Sequence, residues 1–249
     1  MAKIARARSH IQYLGELEAA FNRDHPPSMN VEVLPNGDHV LYADFQQAPG
    51  ELASTVAADA LGNMRAALDI ATVQACILRG QQNQKLLKKT FFAVAGSEKD
   101  WLGNVDRRME GADETIRQCV KSFRPWDEDG NALLYALTKL AARDKHVDLI
   151  PVTDRPMNVQ KMMVSLTHPT GGSVEASVGG YQSLIPTRLP LFVVHSPGKI
   201  EIIGPGVIDV RFGFGNVHNV AGAPVIPMLN EMLIMCEQIV KTLELAAKS

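Results

Sequence analysis

Cysteine is scarce in this chain and poorly placed for cross-linking. Its three residues, Cys76, Cys119 and Cys236, lie far apart, form no CxxC pair and sit in helix-like apolar contexts. There a thiol behaves as a small hydrophobe. A chain of 249 residues, 46% of them hydrophobic, needs no covalent staple, and a reducing, cytoplasmic setting is expected. An excess of charge of one sign is also missing. Lysine plus arginine number 25 against 27 aspartates plus glutamates, a formal net charge of -2. No global field for capturing nucleic acid results, which leaves only a local basic groove for that purpose. Long apolar runs are absent too. No stretch is long enough to span a bilayer, and Lys3, Arg6 and Arg8 are followed by Glu16 and Glu18 rather than by an apolar core, so neither a signal peptide nor a membrane partner is expected.

Several signatures of chemistry are missing as well. There is no GxxxxGK[ST] loop, no GxSxG elbow and no HExxH pair. Gly213-Phe214-Gly215 starts like a dinucleotide loop but has His218 where the third glycine belongs. Asp127, Asp129 and Asn131 have the alternate spacing of a calcium loop, but Ala132 and Thr138 occupy the glycine and glutamate positions. The histidines form no pair three or four residues apart. His168, His195 and His218 share the later part of the chain, and only the fold could gather them. No cofactor and no metal is expected.

What is present reads as α+β, in one domain with two subregions. In residues 1–147, Ile4, Ala7, Ile11, Leu14, Leu17 and Phe21 recur at helical spacing up to Pro26-Pro27, predicting a helix over about 3–24. Asn36-Gly37 between Val31, Val33 and Val40, Tyr42, Phe45 predicts a β-hairpin over about 31–45 with a two-residue turn. Leu52 to Leu78 carries the longest helical face. Phe91, Phe92 and Val94 suggest an ordered loop or stub strand. Ser97 and Asp113 are caps for two further helices, residues 124–130 form a turn, and Leu133 to His146 is helical again. In residues 148–249 period-2 alternation at Met162 to Leu166 and at Ile208 to Phe214, with Leu191 to His195 and Lys199 to Ile203 flanking Pro197-Gly198, predicts an antiparallel meander. A terminal helix over about 224–245 closes it, with Met228, Met232, Met235 or Cys236, Ile239, Val240 and Leu243 on its apolar face.

Two helical segments carry charge where packing alone would not place it. Arg65 and Asp69 stand four apart on one face of the long helix. Arg143-Asp144-Lys145-His146 ends a later one, where the helix dipole favours cations. A second basic set, Lys85, Lys88, Lys89, Arg107 and Arg108, reads as solvated charge near loops, with a phosphate-binding patch as the alternative.

The run from Asp59 to Asp69, with Asn63, Arg65 and Asp69, followed later by Asp144-Lys145-His146, a β region and a terminal helix, resembles uncharacterised bacterial proteins related to the HEPN helical bundles. The resemblance covers most of the chain. It implies a HEPN-like bundle, a homo-oligomer, RNA or a nucleotide as ligand and, in active members, metal-independent RNA cleavage by an arginine, a polar residue and a histidine. Carried onto this sequence, the catalytic set is Arg65, Asp69, Arg143, Asp144, Lys145 and His146. Fewer residues separate Arg143 from His146 than in the active pattern, and Gly62 and Ile70 stand where similar sequences carry histidines. The expected function is therefore a non-enzymatic binding or interaction protein. The alternative is a HEPN-type ribonuclease or nucleotide-processing enzyme of defence or stress. On the alternative reading His146 serves as base beside an arginine. On the first, Arg65, Asp69 and Asp144 are a packing network.

Overall fold

A computed structural model describes residues 2–44, 50–127, 129–146, 152–153, 157–161, 164–167, 188–195, 199–202, 207–215 and 220–249. Helices and antiparallel strands are combined in it, as the α+β reading expects. The helices are α1 (Ala2–Asp24), α2 (Glu51–Leu78), α3 (Gln84–Leu87), α4 (Glu98–Arg108), α5 (Glu114–Ser122), α6 (Ala132–His146) and α7 (Val225–Ala246). The strands are β1 (Ser28–Val33), β2 (His39–Asp44), β3 (Val152–Thr153), β4 (Met157–Lys161), β5 (Val164–Thr167), β6 (Arg188–Val194), β7 (Lys199–Ile202), β8 (Val207–Val210) and β9 (Gly213–Phe214). Among the described residues no helix is long and apolar enough to cross a membrane.

The chain divides into two compact units that interleave along the sequence. The first comprises Met1–Leu14, Ser54–Ile150 and Ile226–Ser249, and the second Gly15–Ala53 and Pro151–Val225. This differs from the expected division at 147/148. The hairpin joins the later strands, and the terminal helix joins the helical unit. Composition along the chain reports local structure, whereas these groupings are made by contacts between distant segments.

In the helical unit, Ile4, Ala7, Ile11 and Leu14 line the buried stripe of α1, at the three-and-four spacing that puts side chains on one face. Leu61, Met64 and Leu68 of α2, Leu134, Leu137 and Leu140 of α6, and Leu229, Met232, Cys236 and Leu243 of α7 are equally buried. An Arg8–Glu237 ion pair ties α1 to α7. The shorter helices begin where their caps predict. Ser97 Oγ accepts from Asp100 N at 3.2 Å, and Asp113 Oδ1 accepts from Ile116 N at 3.0 Å. Asn131 Oδ1 likewise accepts from Leu134 N at 3.1 Å at the start of α6. Each bond satisfies an amide that the helix itself leaves without a partner.

In the strand unit, β1 and β2 pair antiparallel from Ser28↔Asp44 to Val33↔His39. The turn differs from the expected two-residue type. Gly37 N donates to Leu34 O at 2.8 Å, Leu34 N donates to Asp38 O at 2.8 Å, and Gly37 has φ +86° while Asn36 stays out of the left-handed region. This is a three-residue loop, a type I turn closed by a left-handed glycine. Pro35 explains it, because its fixed φ suits the first central position of a type I turn.

The expected meander is corrected in topology. Among the described residues β5 pairs with β7, β4 with β8 and β3 with β9, all antiparallel, and β6 pairs with β2 in the order β1-β2-β6. In a meander each strand pairs with the next. Here the pairs nest about β6, which covers the open edge of the hairpin. Alternation identifies a strand and its faces but not its partner. The β2–β6 register shifts between Leu41 and Tyr42, opposite Phe192 and Pro190, where an edge strand tolerates a residue lacking an N–H. Arg188 holds that edge through Glu32 and Asp44 at 2.8 and 3.1 Å and lies 3.9 Å over the Tyr42 ring.

Candidate functional site

Arg65 and Asp69 meet as their spacing predicts, at 2.8 Å between Nη2 and Oδ1. Both then turn to protein atoms. Arg65 Nη2 donates to Phe92 O at 2.6 Å, Arg65 Nη1 donates to Thr138 Oγ1 at 3.1 Å, and Asp69 Oδ1 accepts from Phe92 N at 3.0 Å. The pair brackets the backbone of Phe92, a fully buried residue, and bridges α2 to α6. Phe92 lacks strand or helix partners for these groups, so the two side chains supply them. The Arg65 side chain is only 11% exposed. Its planar fork is occupied by three acceptors within the fold.

Arg143, Asp144, Lys145 and His146 fall in the last turn of α6, as expected, but their side chains lie outside the described residues. His168 and His218 also lie outside them. His195 is described, and its Nδ1 faces Asp38 Oδ2 at 2.9 Å at the hairpin. Among the described residues no group of three or more His, Cys, Asp or Glu side chains is placed to hold a metal ion.

Part of the second basic set does converge. Phe91 N donates to Arg108 O at 3.1 Å, which docks the segment after α3 against the end of α4. Two adjoining clefts open there. One, of about 400 Å³, is lined by Lys89, Phe91, Arg107, Arg108 and Glu110. The other, of about 390 Å³, lies between α4 and α6, with Asp100, Asn104 and Arg108 on one wall, Tyr135, Thr138 and Lys139 on the other, and residues 94–96 between. Arg108 lines both. Lys85 and Lys88 line neither.

The cations of these clefts are differently engaged. Lys89 pairs with Glu110 at 3.0 Å, and Arg107 donates to Asn104 Oδ1 at 3.2 Å. Arg108 instead lies over the Phe91 ring at 5.6 Å, and Lys139 over the Tyr135 ring at 5.1 Å. Neither is paired with a carboxylate among the described residues. A cation resting on a ring face stays available to an anion at modest cost. Gly96 keeps the floor of the second cleft open. A β-carbon there would stand 3.8 Å from Asp100 Oδ2 and 3.9 Å from Tyr135 Oη, so these two polar atoms converge on space that glycine leaves empty.

Asp100, Asn104, Tyr135 and Lys139 were not among the expected site residues. The signal was present as a four-residue repeat, Asp100, Asn104 and Arg108 on one helix facing Tyr135, Thr138 and Lys139 on another. Only the fold brings these rows together. A separate apolar groove of about 200 Å³ runs along α2, lined by Ala67, Ile70, Ala71 and Leu78 with Val240 of α7. Ile70 and Leu78 are 50% and 59% exposed. Compared with protein-family models, with curated proteins and with solved structures, the chain shows no significant match.

Proposed function

We propose that this chain is a HEPN-like, non-enzymatic binding protein whose ligand is anionic, RNA or a nucleotide, held at the clefts that share Arg108. One contrast carries the reading. Arg65 and Asp69, the charges expected to act on a phosphate, are spent on the Phe92 peptide and Thr138, whereas Arg108 and Lys139 rest on aromatic rings at cleft walls. Catalysis by charge requires groups aimed at the reacting atoms. Binding requires only accessible cations beside surfaces on which a base can lie. The Arg65 bracket thus holds up the site by fixing the segment that carries Phe91 and Gly96.

Anisotropy of a fluorescent single-stranded RNA tests the reading. Binding is expected to weaken with salt, with a log–log slope of roughly -2 if Arg107, Arg108 and Lys139 each meet a phosphate. Arg108→Ala is expected to lower affinity about tenfold, and the RNA is expected to emerge intact. Absence of binding refutes the proposal. Metal-independent cleavage that His146→Ala abolishes at unchanged melting temperature replaces it with the ribonuclease reading. We extend the proposal to self-association through the apolar groove of α2. Its exposed Ile70 and Leu78 support this, as do Lys3 and Glu244, opposite charges that both line the groove and that a two-fold axis can bring face to face.

A further inference from the structure

We infer that the cleft between α4 and α6 is a guanine pocket, in which Asp100 and Tyr135 read the base and Arg108 and Lys139 hold its phosphate. The inference rests on the binding reading above and adds the identity of the base.

The starting observation is a carboxylate in a wall otherwise suited to anions. The charged groups lining the cleft are Asp100, Arg108 and Lys139, and Asp100 has no cationic partner among the described residues. Asp100 and Arg108 stand eight residues apart on α4, about 12 Å along the axis, too far to neutralise each other. A ligand that satisfies both must carry an anion at one end and hydrogen-bond donors at the other. A nucleotide has this form, with phosphate and Watson–Crick edge at opposite ends.

Among the bases, the donor pattern selects guanine. Its edge presents N1–H and N2–H side by side, which two carboxylate oxygens accept together as a charge-assisted pair. Adenine, cytosine and uracil each place an acceptor next to a single donor, and a carboxylate repels that acceptor. Guanine O6, beside N1–H, requires a donor in turn. The Tyr135 hydroxyl supplies one, and it converges with Asp100 Oδ2 over Gly96, at 3.9 and 3.8 Å from where a β-carbon would stand. The three edge atoms of guanine thus find an acceptor pair and a donor on one side of the cleft. A cleft of about 390 Å³ is within the range that holds a small ligand. The same chemistry arises from a free guanine nucleotide and from a guanosine within a single strand.

Titration calorimetry with GMP and AMP, and anisotropy with fluorescent UUGUU and UUAUU, test the inference on the full chain. The guanine probe of each pair is expected to bind roughly tenfold or more tightly than its adenine counterpart. Preference with GMP assigns the free nucleotide as ligand, and preference with UUGUU alone assigns the strand. Asp100→Asn is expected to erase the preference while retaining binding that depends on Arg108. Gly96→Ala, whose added methyl makes only ordinary contacts, is expected to weaken GMP or UUGUU at unchanged melting temperature. Equal binding of guanine and adenine probes, or a preference that survives Asp100→Asn, overturns the guanine pocket and leaves the binding reading standing. No binding of any probe overturns both.

Discussion

Removing Asp69 separates a structural role for the Arg65–Asp69 pair from a catalytic one. In Asp69→Ala the buried Phe92 amide loses its acceptor, which costs about 1–3 kcal/mol. Arg65 also loses its counterion. For a deeply buried pair that loss reaches about 3–5 kcal/mol, but the Asp69 side chain is 34% exposed, so water screens the charge left behind and about 1 kcal/mol is the better figure. Arg65 keeps Phe92 O and Thr138 Oγ1 as acceptors. The expected destabilisation is about 3 kcal/mol, or roughly 6–12 °C in melting temperature for a chain of this size. Trp101 and Trp126 are the only tryptophans, and both belong to the helical unit, so urea and thermal melts followed by tryptophan emission report on that unit alone. Arg65→Met and the double variant complete a cycle, in which a coupling above about 1 kcal/mol is expected for groups in direct contact. An unchanged melting temperature for Asp69→Ala, accompanied by altered handling of RNA, refutes the structural role.

Further outcomes follow from burial and charge. Burial pushes the Cys236 thiol up to about 12, with the Arg65 charge acting against the shift, and the Cys76 thiol up to about 11. Cys119 is raised by burial as well but is partly accessible, so Ellman's reagent at pH 8 is expected to titrate Cys119 alone in the native state, and prompt reaction of Cys236 refutes the buried face of α7. The Asp113 carboxyl is drawn below its ordinary value. Burial acts to raise it, but the Arg79 side-chain hydrogen bond, the Ile116 amide and the Arg79 charge together prevail. A depressed native value contributes stability above the ordinary aspartate value of 3.8, and that contribution disappears as pH falls through the native value. Asp113→Ala is therefore expected to cost about 1 kcal/mol at neutral pH and less in acid melts, and a pH-independent cost contradicts this. Ile70→Glu is expected to shift sedimentation toward the monomer, and a monomeric parent protein rules out association through α2.

Local features were legible because their causes are local. The stripe on α1, the caps Ser97 and Asp113, and the spacing of Arg65 and Asp69 are set by neighbours within a few residues, and the structure shows each in place. The hairpin was legible, but its turn type was misread because Pro35 outweighed the Asn-Gly pair. Among the basic residues, Lys89, Arg107 and Arg108 met at one cleft while Lys85 and Lys88 did not. The sequence could not distinguish them, since charge near a loop says nothing about which way that loop docks.

The sequence by itself determined the kind of the long elements, α1, α2, α6 and α7 with the hairpin, and the absence of nucleotide-loop patterns, because these depend on periodicity and short-range sterics. The tertiary structure alone decided that β6 covers the hairpin edge, that Arg65 and Asp69 serve the Phe92 backbone, and that Asp100 faces Tyr135 across Gly96. Each of these joins residues far apart in the chain. Such contacts are selected by which edges, acceptors and cavities remain open once the helices and strands have packed, and no local pattern encodes that remainder.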